Sequence, residues 1–124
     1  MFTAFLVAIS LVNAAPATKT VTSADAGKTI TIATHQKLQI ELSECSGCGY
    51  GWKTTRKPSS KVLTRRAPGT KDPTCKKANC VGGSYTRIFP YTGKATGRTT
   101  LRLEYFGPGN SDASDTFQIT IRVR

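Results

Sequence analysis

The sequence has little of the chemistry that catalysis and metal binding require. It contains one histidine, His35, and seven carboxylates that are scattered along the chain. His35 falls in a predicted turn with no acidic residue close in sequence, so we interpret it as a solvated surface side chain. One histidine cannot build a histidine-rich metal centre, and a nucleophile–histidine–acid triad would depend on it alone. The sequence therefore predicts a protein that is not an enzyme and that binds no metal or cofactor.

Long apolar runs are also missing, since no segment approaches the roughly 18 apolar residues of a membrane-spanning helix. Residues 1–14 are apolar without charged side chains, and they end in Val12-Asn13-Ala14. This pattern is typical of a secretory signal peptide, with cleavage expected after Ala14. The alternative is a buried first strand or helix. We expect a secreted, mature domain of residues 15–124, which is enough chain for one domain. The sequence leaves its oligomeric state open.

The chain has four cysteines: Cys45, Cys48, Cys75 and Cys80. In an exported protein an even set favours two disulfides, and three pairings are possible. A zinc site is the competing interpretation of the Cys45-x-x-Cys48 spacing, but Cys75-x4-Cys80 is wider than the usual zinc knuckle. A redox-active Cys45–Cys48 pair is less favoured, because no strand-then-helix pattern places it at a helix N-terminus.

Helical periodicity is absent, and alternation of apolar and polar residues takes its place. Clear alternation covers residues 29–32, 38–42, 101–105 and 117–123, and weaker strand candidates are residues 50–55, 61–64 and 85–91. Turn-forming glycines and prolines separate these segments. About seven short strands in about a hundred residues predict an all-β protein, an immunoglobulin-like antiparallel β-sandwich. Residues 56–80 are the least regular, and part of them is predicted to be a long exposed loop.

The most informative segment is Cys45-Ser46-Gly47-Cys48-Gly49-Tyr50-Gly51-Trp52, which opens a predicted strand and holds the only tryptophan. Its end resembles the end of the Asn-Pro-Thr-Thr-Gly-Tyr-x-Trp motif of the chagasin family, protein inhibitors of papain-like cysteine peptidases. Gly82-Gly83, followed by Ser84 and a strand, is similar to the glycine-rich second loop of that family. Residues 101–108 are similar to the strand leading into its Arg-Pro-Trp loop, and residues 115–121 to its last strand. The resemblance covers residues 30–123.

The resemblance implies an immunoglobulin-like sandwich whose three loops at one end enter the peptidase cleft. The implied peptidase-binding residues are Cys45, Ser46, Gly47, Cys48 and Gly49 in the first loop, Val81, Gly82 and Gly83 in the second, and Phe106, Gly107, Pro108 and Gly109 in the third. Tyr50 and Trp52 are expected to anchor the first loop. The predicted function is therefore that of a secreted, reversible inhibitor of papain-like cysteine peptidases, which occludes the active-site cleft with its loops.

Two loops differ from the family pattern, and they motivate an alternative function. Cys45-Ser46-Gly47-Cys48 replaces Asn-Pro-Thr-Thr, and glycines flank Pro108 where the family has Arg and Trp. The net charge is +11, with 18 lysines and arginines, and such a field attracts acidic partners without naming one. The alternative is a basic extracellular module that binds anionic glycans or surfaces and has lost inhibition. Its predicted basic residues are Arg56, Lys57, Lys61, Arg65, Arg66, Lys71, Lys76 and Lys77.

The disulfide pairing bears on how rigid a glycine-rich binding loop is before it binds. Ordering such a loop on binding lowers affinity, and a crosslink between the first and second loops removes part of that loss in advance. On this ground we favour at least one bridge from Cys45 or Cys48 to Cys75 or Cys80 over two local bridges. The alternative, which stays open at this point, is that the bridges only stabilise a small core.

Overall fold

The computed structural model describes residues 16–71, 84–109 and 111–124, so the predicted signal peptide lies outside the described residues. Within them the chain forms nine strands: β1 (Lys19–Val21), β2 (Thr29–Ile32), β3 (Lys37–Glu44), β4 (Gly51–Arg56), β5 (Leu63–Arg65), β6 (Gly69–Lys71), β7 (Tyr85–Gly93), β8 (Gly97–Phe106) and β9 (Asp115–Val123). Short 3-10 turns occupy Ser23–Asp25 and Ser46–Cys48. All seven predicted strands are present. The additional strands β1 and β6 have three residues each, too few to show an alternating pattern.

The strands form two sheets, in the orders β1-β3-β7-β5 and β2-β9-β8-β4, with β6 also paired to β7. The predicted immunoglobulin-like β-sandwich is confirmed, with nine described strands in place of about seven. Each sheet contains one parallel pair, β1 with β3 and β2 with β9, so the sandwich is not purely antiparallel. Alternation could not reveal this, because it reports which face of a strand is buried and not the direction of its neighbour.

The core lies between the sheets, where the apolar faces of the alternating strands meet. In β3, Leu38, Ile40 and Leu42 are buried, whereas the side chains between them are partly or fully exposed. The buried core consists of Val21, Ile30, Ile32, Leu38, Ile40, Leu42, Trp52, Val62, Leu63, Phe89, Tyr91, Leu101, Leu103, Phe117, Ile119, Ile121 and Val123. The two sheets therefore share a single core, and this core holds both ends of the sandwich in place.

Pro90 in β7 explains why the adjacent edge is built from two short strands. β5 pairs with residues 91–93 of β7 and β6 with residues 86–88, which leaves Pro90 between them. The Pro90 carbonyl accepts a hydrogen bond from the Arg66 backbone N–H at 3.0 Å. In a strand the N–H and C=O of one residue face the same neighbour, so the missing N–H of Pro90 faces this edge and interrupts it. The segment predicted as a long loop is thus partly strand.

Candidate functional site

The first loop (residues 45–50) and the third loop (residues 107–109) meet at one end of the sandwich, which we call the loop end. β4 begins and β8 finishes there, because Gly51 pairs with Phe106. Gly49 has a φ of +83°, a backbone conformation that favours glycine. A Cβ atom at Gly49 would lie 3.3 Å from the Cβ and Cγ atoms of Pro108. The two loops therefore touch, and this contact leaves little room for a larger residue at Gly49.

Three aromatic side chains pack beneath these loops. The ring of Tyr105 lies 5.2 Å from that of Tyr50 and 4.7 Å from that of Trp52, measured between centroids. Tyr105 also accepts a hydrogen bond at its hydroxyl from the Cys45 backbone N–H, at 2.8 Å. The indole N–H of Trp52 donates to the Ser43 carbonyl at 2.8 Å. The two predicted anchor residues, Tyr50 and Trp52, thus act through Tyr105, which the sequence analysis did not single out.

The first loop is closed by a local disulfide between Cys45 and Cys48. The Cys45 carbonyl accepts hydrogen bonds from the backbone N–H groups of Cys48 and Tyr50, at 3.2 and 3.1 Å. This tight turn brings the Cα atoms of the two cysteines to 5.3 Å, an ordinary separation for a disulfide. The favoured bridge from the first loop to Cys75 or Cys80 is therefore wrong. Cys75 and Cys80 lie outside the described residues.

A buried carboxylate, Glu44, links three strands directly under the first loop. Its side chain is 3% exposed, and it accepts a hydrogen bond from the Trp52 backbone N–H at 2.8 Å. The Tyr85 hydroxyl donates to its other oxygen at 2.8 Å, and the Arg87 guanidinium forms an ion pair with the same oxygen at 3.3 Å. Because Trp52 belongs to the second sheet and Tyr85 to the first, Glu44 fastens the two sheets together at the loop end.

Glu44 is a residue that sequence reasoning missed, although a signal was present. It was counted among the scattered carboxylates. The period of two along β3 places it on the same face as Leu38, Ile40 and Leu42, where a charged side chain needs partners because an unpaired buried charge is very unfavourable. A carboxylate on the buried face of a strand that leads into a loop could have indicated this role.

The second loop lies outside the described residues, and only the strand that follows it is described. β7 begins at Tyr85, which pairs with Glu44, so the chain enters β7 at the loop end. The predicted binding residues Val81, Gly82 and Gly83 lie outside the described residues. The structure therefore brings together the first and third loops and the start of the strand that follows the second.

The exposed residues of the loop end have small side chains. Gly47, Cys48, Gly49, Pro108 and Gly109 are exposed, whereas Gly107 is buried. An open depression runs beside them, lined by Gly49, Tyr50, Gly51, Trp52, Lys53, Phe106, Gly107 and Gly109. The Lys53 ammonium lies 5.5 Å from the centroid of the Phe106 ring. Such a surface can occlude a cleft and offer backbone hydrogen bonds.

The described residues show no competing chemical site. No group of three or more histidine, cysteine or acidic side chains among them is placed to hold a metal ion. His35 is exposed in the turn between β2 and β3, which confirms the prediction for it. The described part of the chain also contains no helix with the length and apolar content that a bilayer crossing needs.

Comparisons with known proteins agree with this architecture. The sequence model described as "Chagasin family peptidase inhibitor I42" matches residues 31–121. The structure is similar to the cysteine protease inhibitor EhICP2 from Entamoeba histolytica, with a TM-score of 0.72 and 18% identity over 87% of this chain and 96% of that chain. Amebosin gives a TM-score of 0.68 and 22% identity over 89% of this chain and all (100%) of that one. PbICP-C, solved in complex with falcipain-2, gives a TM-score of 0.52 and 20% identity over 90% of this chain and 92% of that chain. No curated protein matches the sequence.

Proposed function

The chain belongs to the chagasin family of peptidase inhibitors, and we propose on that premise that it inhibits papain-like cysteine peptidases reversibly. The observation that carries the proposal is the junction of the first and third loops at one end of the sandwich, through Gly49 and Pro108. Two separate chain segments form one continuous protrusion there. A protrusion of this kind can enter a cleft that a single flexible loop would fill poorly.

Inhibition in this proposal needs no reaction of the protein. The exposed tip residues Cys48, Gly49, Pro108 and Gly109 are small, so their backbone groups can approach the floor of a cleft closely. Backbone N–H and C=O groups then make hydrogen bonds that a substrate peptide would otherwise make. Substrate is excluded because the same space is occupied.

Affinity in such a complex depends on how rigid the loops are before binding. The local disulfide, the Gly49–Pro108 contact and the hydrogen bond from Cys45 to Tyr105 all restrain the first loop. Loops that are ordered in advance lose less entropy on binding. This restraint offsets the missing Arg-Pro-Trp anchor, because fewer strong contacts are needed when less ordering must be overcome.

The proposal also covers the second loop, secretion, the net charge and the partner. Val81, Gly82 and Gly83 form the second binding loop, since Tyr85 enters β7 at the loop end. Residues 1–14 direct secretion. The net charge of +11 accelerates encounter with an acidic peptidase surface. The complex between the neighbour PbICP-C and falcipain-2 supports a partner of the same kind for this chain.

The test is a titration of papain with the secreted, oxidised protein, followed by hydrolysis of a small peptide substrate. We expect reversible inhibition that competes with substrate. The informative variant is Gly47→Arg, because Gly47 is exposed in the 3-10 turn Ser46–Cys48, a backbone that other residues adopt. A long side chain there should block insertion and raise Ki at least tenfold, about 1.4 kcal/mol.

The matched control is Gly69→Arg, which makes the same change of charge on β6. Gly69 is exposed, and a Cβ atom there would have no heavy atom within 4 Å. We expect this variant to inhibit papain like the unmodified protein. Absence of inhibition by the unmodified protein at micromolar concentration, for papain and for a cathepsin L type enzyme, would refute the proposed function.

A further inference from the structure

The solvent face of the second sheet carries an arginine cluster that peptidase inhibition does not use. We call this cluster the arginine face and define it by Arg56, Arg98, Arg102 and Arg122, all of which are exposed. Arg98 pairs directly with Arg122 across β8 and β9, and Arg56 pairs with Arg102 across β4 and β8. Like charges directly opposite one another destabilise a sheet. Two such pairs on one face therefore lower stability unless a partner of negative charge covers them.

A β-bulge brings Arg56 to this face. Thr54 pairs with Leu103, and Arg56 pairs with Arg102, the residue adjacent to Leu103 in β8. Thr55 is therefore the extra residue of the bulge. Without it, the alternation that directs Trp52 to the core would direct Arg56 there as well. The bulge re-aims one side chain, which is a common use of this irregularity next to functional surfaces.

The arginines of this face are available for a ligand. Among the described residues none of the four forms an ion pair. Arg102 donates from its Nε atom to the side-chain carbonyl of Gln118 at 3.0 Å, which leaves the other guanidinium donors unused. The outward positions of β4, β8 and β9 also hold Lys53 and a single carboxylate, Glu104. An open depression is lined here by Arg56, Lys57, Ser59, Arg98, Thr99, Thr100 and Thr120.

The chemistry of the face selects one class of polyanion. Guanidinium groups bind planar or tetrahedral oxyanions through paired hydrogen bonds, and the threonines Thr100 and Thr120 between them add hydroxyl donors. The only ring among these outward positions is Phe106, at the loop end, so bases of a nucleic acid have no stacking platform beside the arginines. The absence of apolar side chains around them also disfavours insertion into a membrane.

We propose that the arginine face binds a linear, sulfated polysaccharide. Arg102, the arginine of β8 nearest the loop end, lies four residues from Phe106, and Arg98 lies eight residues from it, which is about 14 Å and about 27 Å at the usual rise of a strand. A ligand on the arginines therefore leaves the loop end open, so the protein can bind polysaccharide and a peptidase together. Of the basic residues that the sequence indicated, Arg56 and Lys57 lie at this site, whereas Arg65 and Arg66 lie on β5 and beyond it, in the other sheet.

The test measures binding to heparin as a function of NaCl concentration for two double variants of equal charge. Arg98→Gln with Arg122→Gln removes one arginine pair from the arginine face, and Arg65→Gln with Arg66→Gln is the matched control. We expect the first variant to elute from heparin at clearly lower salt than the control. The magnitude of its slope of log K against log[NaCl] should fall by about 1.4, the change for two lost ion contacts on the scale known for single-stranded nucleic acids.

Four readouts make the result decisive: papain inhibition, unfolding temperature, heparin affinity and binding to single-stranded DNA. The Arg98/Arg122 variant should keep its papain inhibition and unfold at the same or a higher temperature, because a like-charge pair has been removed. Equal losses of heparin affinity in both double variants would overturn the proposal, since net charge alone would then explain binding. A larger loss in the Arg65/Arg66 variant, or single-stranded DNA that binds as tightly as heparin, would overturn it as well. The heparin and DNA outcomes do not depend on whether the protein inhibits a peptidase.

Discussion

Removal of the Glu44 carboxylate should loosen the loop end and weaken inhibition together. Glu44→Ala leaves the Trp52 N–H and the Tyr85 hydroxyl without their acceptor and the Arg87 guanidinium without its counter-ion. Breaking a buried ion pair lowers the free energy of unfolding by about 3 to 5 kcal/mol, and this range already includes the penalty for buried donors left without an acceptor. The Arg87 side chain is 30% exposed, so water compensates part of the loss. We therefore expect the lower value, about 3 kcal/mol.

The assay compares the unmodified protein, Glu44→Ala and Glu44→Gln by urea unfolding, by thermal unfolding and by inhibition of papain. Glu44→Ala should lower the midpoint of thermal unfolding by about 13 °C, given the size of this domain. Glu44→Gln keeps an acceptor for the Trp52 N–H but leaves Arg87 without its counter-ion, so it should lose less stability than Glu44→Ala and still fall below the unmodified protein. Ki is measured where every variant is folded, and it should rise for Glu44→Ala because Trp52 and the first loop lose their restraint, while Glu44→Gln should restore most of the inhibition.

The matched control for this experiment is Glu41→Ala, on the same strand but on the outer face. The Glu41 carboxylate forms an ion pair with Lys71 at 2.9 Å, and the Lys71 side chain is 44% exposed. A pair of this kind contributes about 1 kcal/mol or less. We expect Glu41→Ala to leave Ki unchanged. Equal destabilisation by the alanine variants of Glu44 and Glu41, or an unchanged Ki for Glu44→Ala, would refute the reasoning.

Three further predictions concern the disulfide, a buried phenol and a tight glycine. Replacing Cys45 and Cys48 together by serine should lower stability by no more than about 2 kcal/mol, because the closed loop is very short, but it should raise Ki for papain; an unchanged Ki would contradict the role of loop restraint. Burial raises the pKa of the Tyr91 phenol above its ordinary 10.0. The stability that comes from the neutral phenol is therefore present below pH 10 and is lost as pH rises through the raised pKa, so Tyr91→Phe should flatten the fall of urea stability above pH 10; an equally steep fall would contradict this. At Gly93 a Cβ atom would lie 2.5 Å from the Ala33 carbonyl oxygen, so Gly93→Ala should destabilise by about 1 to 3 kcal/mol in urea unfolding, and a neutral effect would show that the backbone can move aside.

The strands of the core could be predicted because burial leaves its period in the sequence. The alternation through Leu38, Ile40 and Leu42 and through Phe117 and Ile119 repeats in the buried faces of β3 and β9. The same period carries no information on strand direction, so it could not predict that β1 with β3 and β2 with β9 are parallel pairs. β1 and β6 were missed for another reason, because three-residue strands pair through backbone groups that every residue has.

The candidate site was predictable in its parts and not in its connections. The resemblance carried by Gly49-Tyr50-x-Trp52 and by residues 101–108 implied the first loop, its anchors and the third loop. The Cys45–Cys48 bridge was open among three pairings, because cysteine spacing does not determine which turn brings two sulfur atoms together. Glu44 and Tyr105 act across the gap between strands distant in sequence, and such contacts follow only from the sheet register.

The central claim is that the first and third loops enter a peptidase cleft while the sheets stay outside it. The most direct measurement is backbone hydrogen exchange of the protein, alone and saturated with papain. The account predicts new protection at residues 45–51 and 106–109, with unchanged exchange across the solvent face of β8 and β9 near Arg98 and Arg122. Protection confined to that sheet face, or no new protection in either loop, would contradict it.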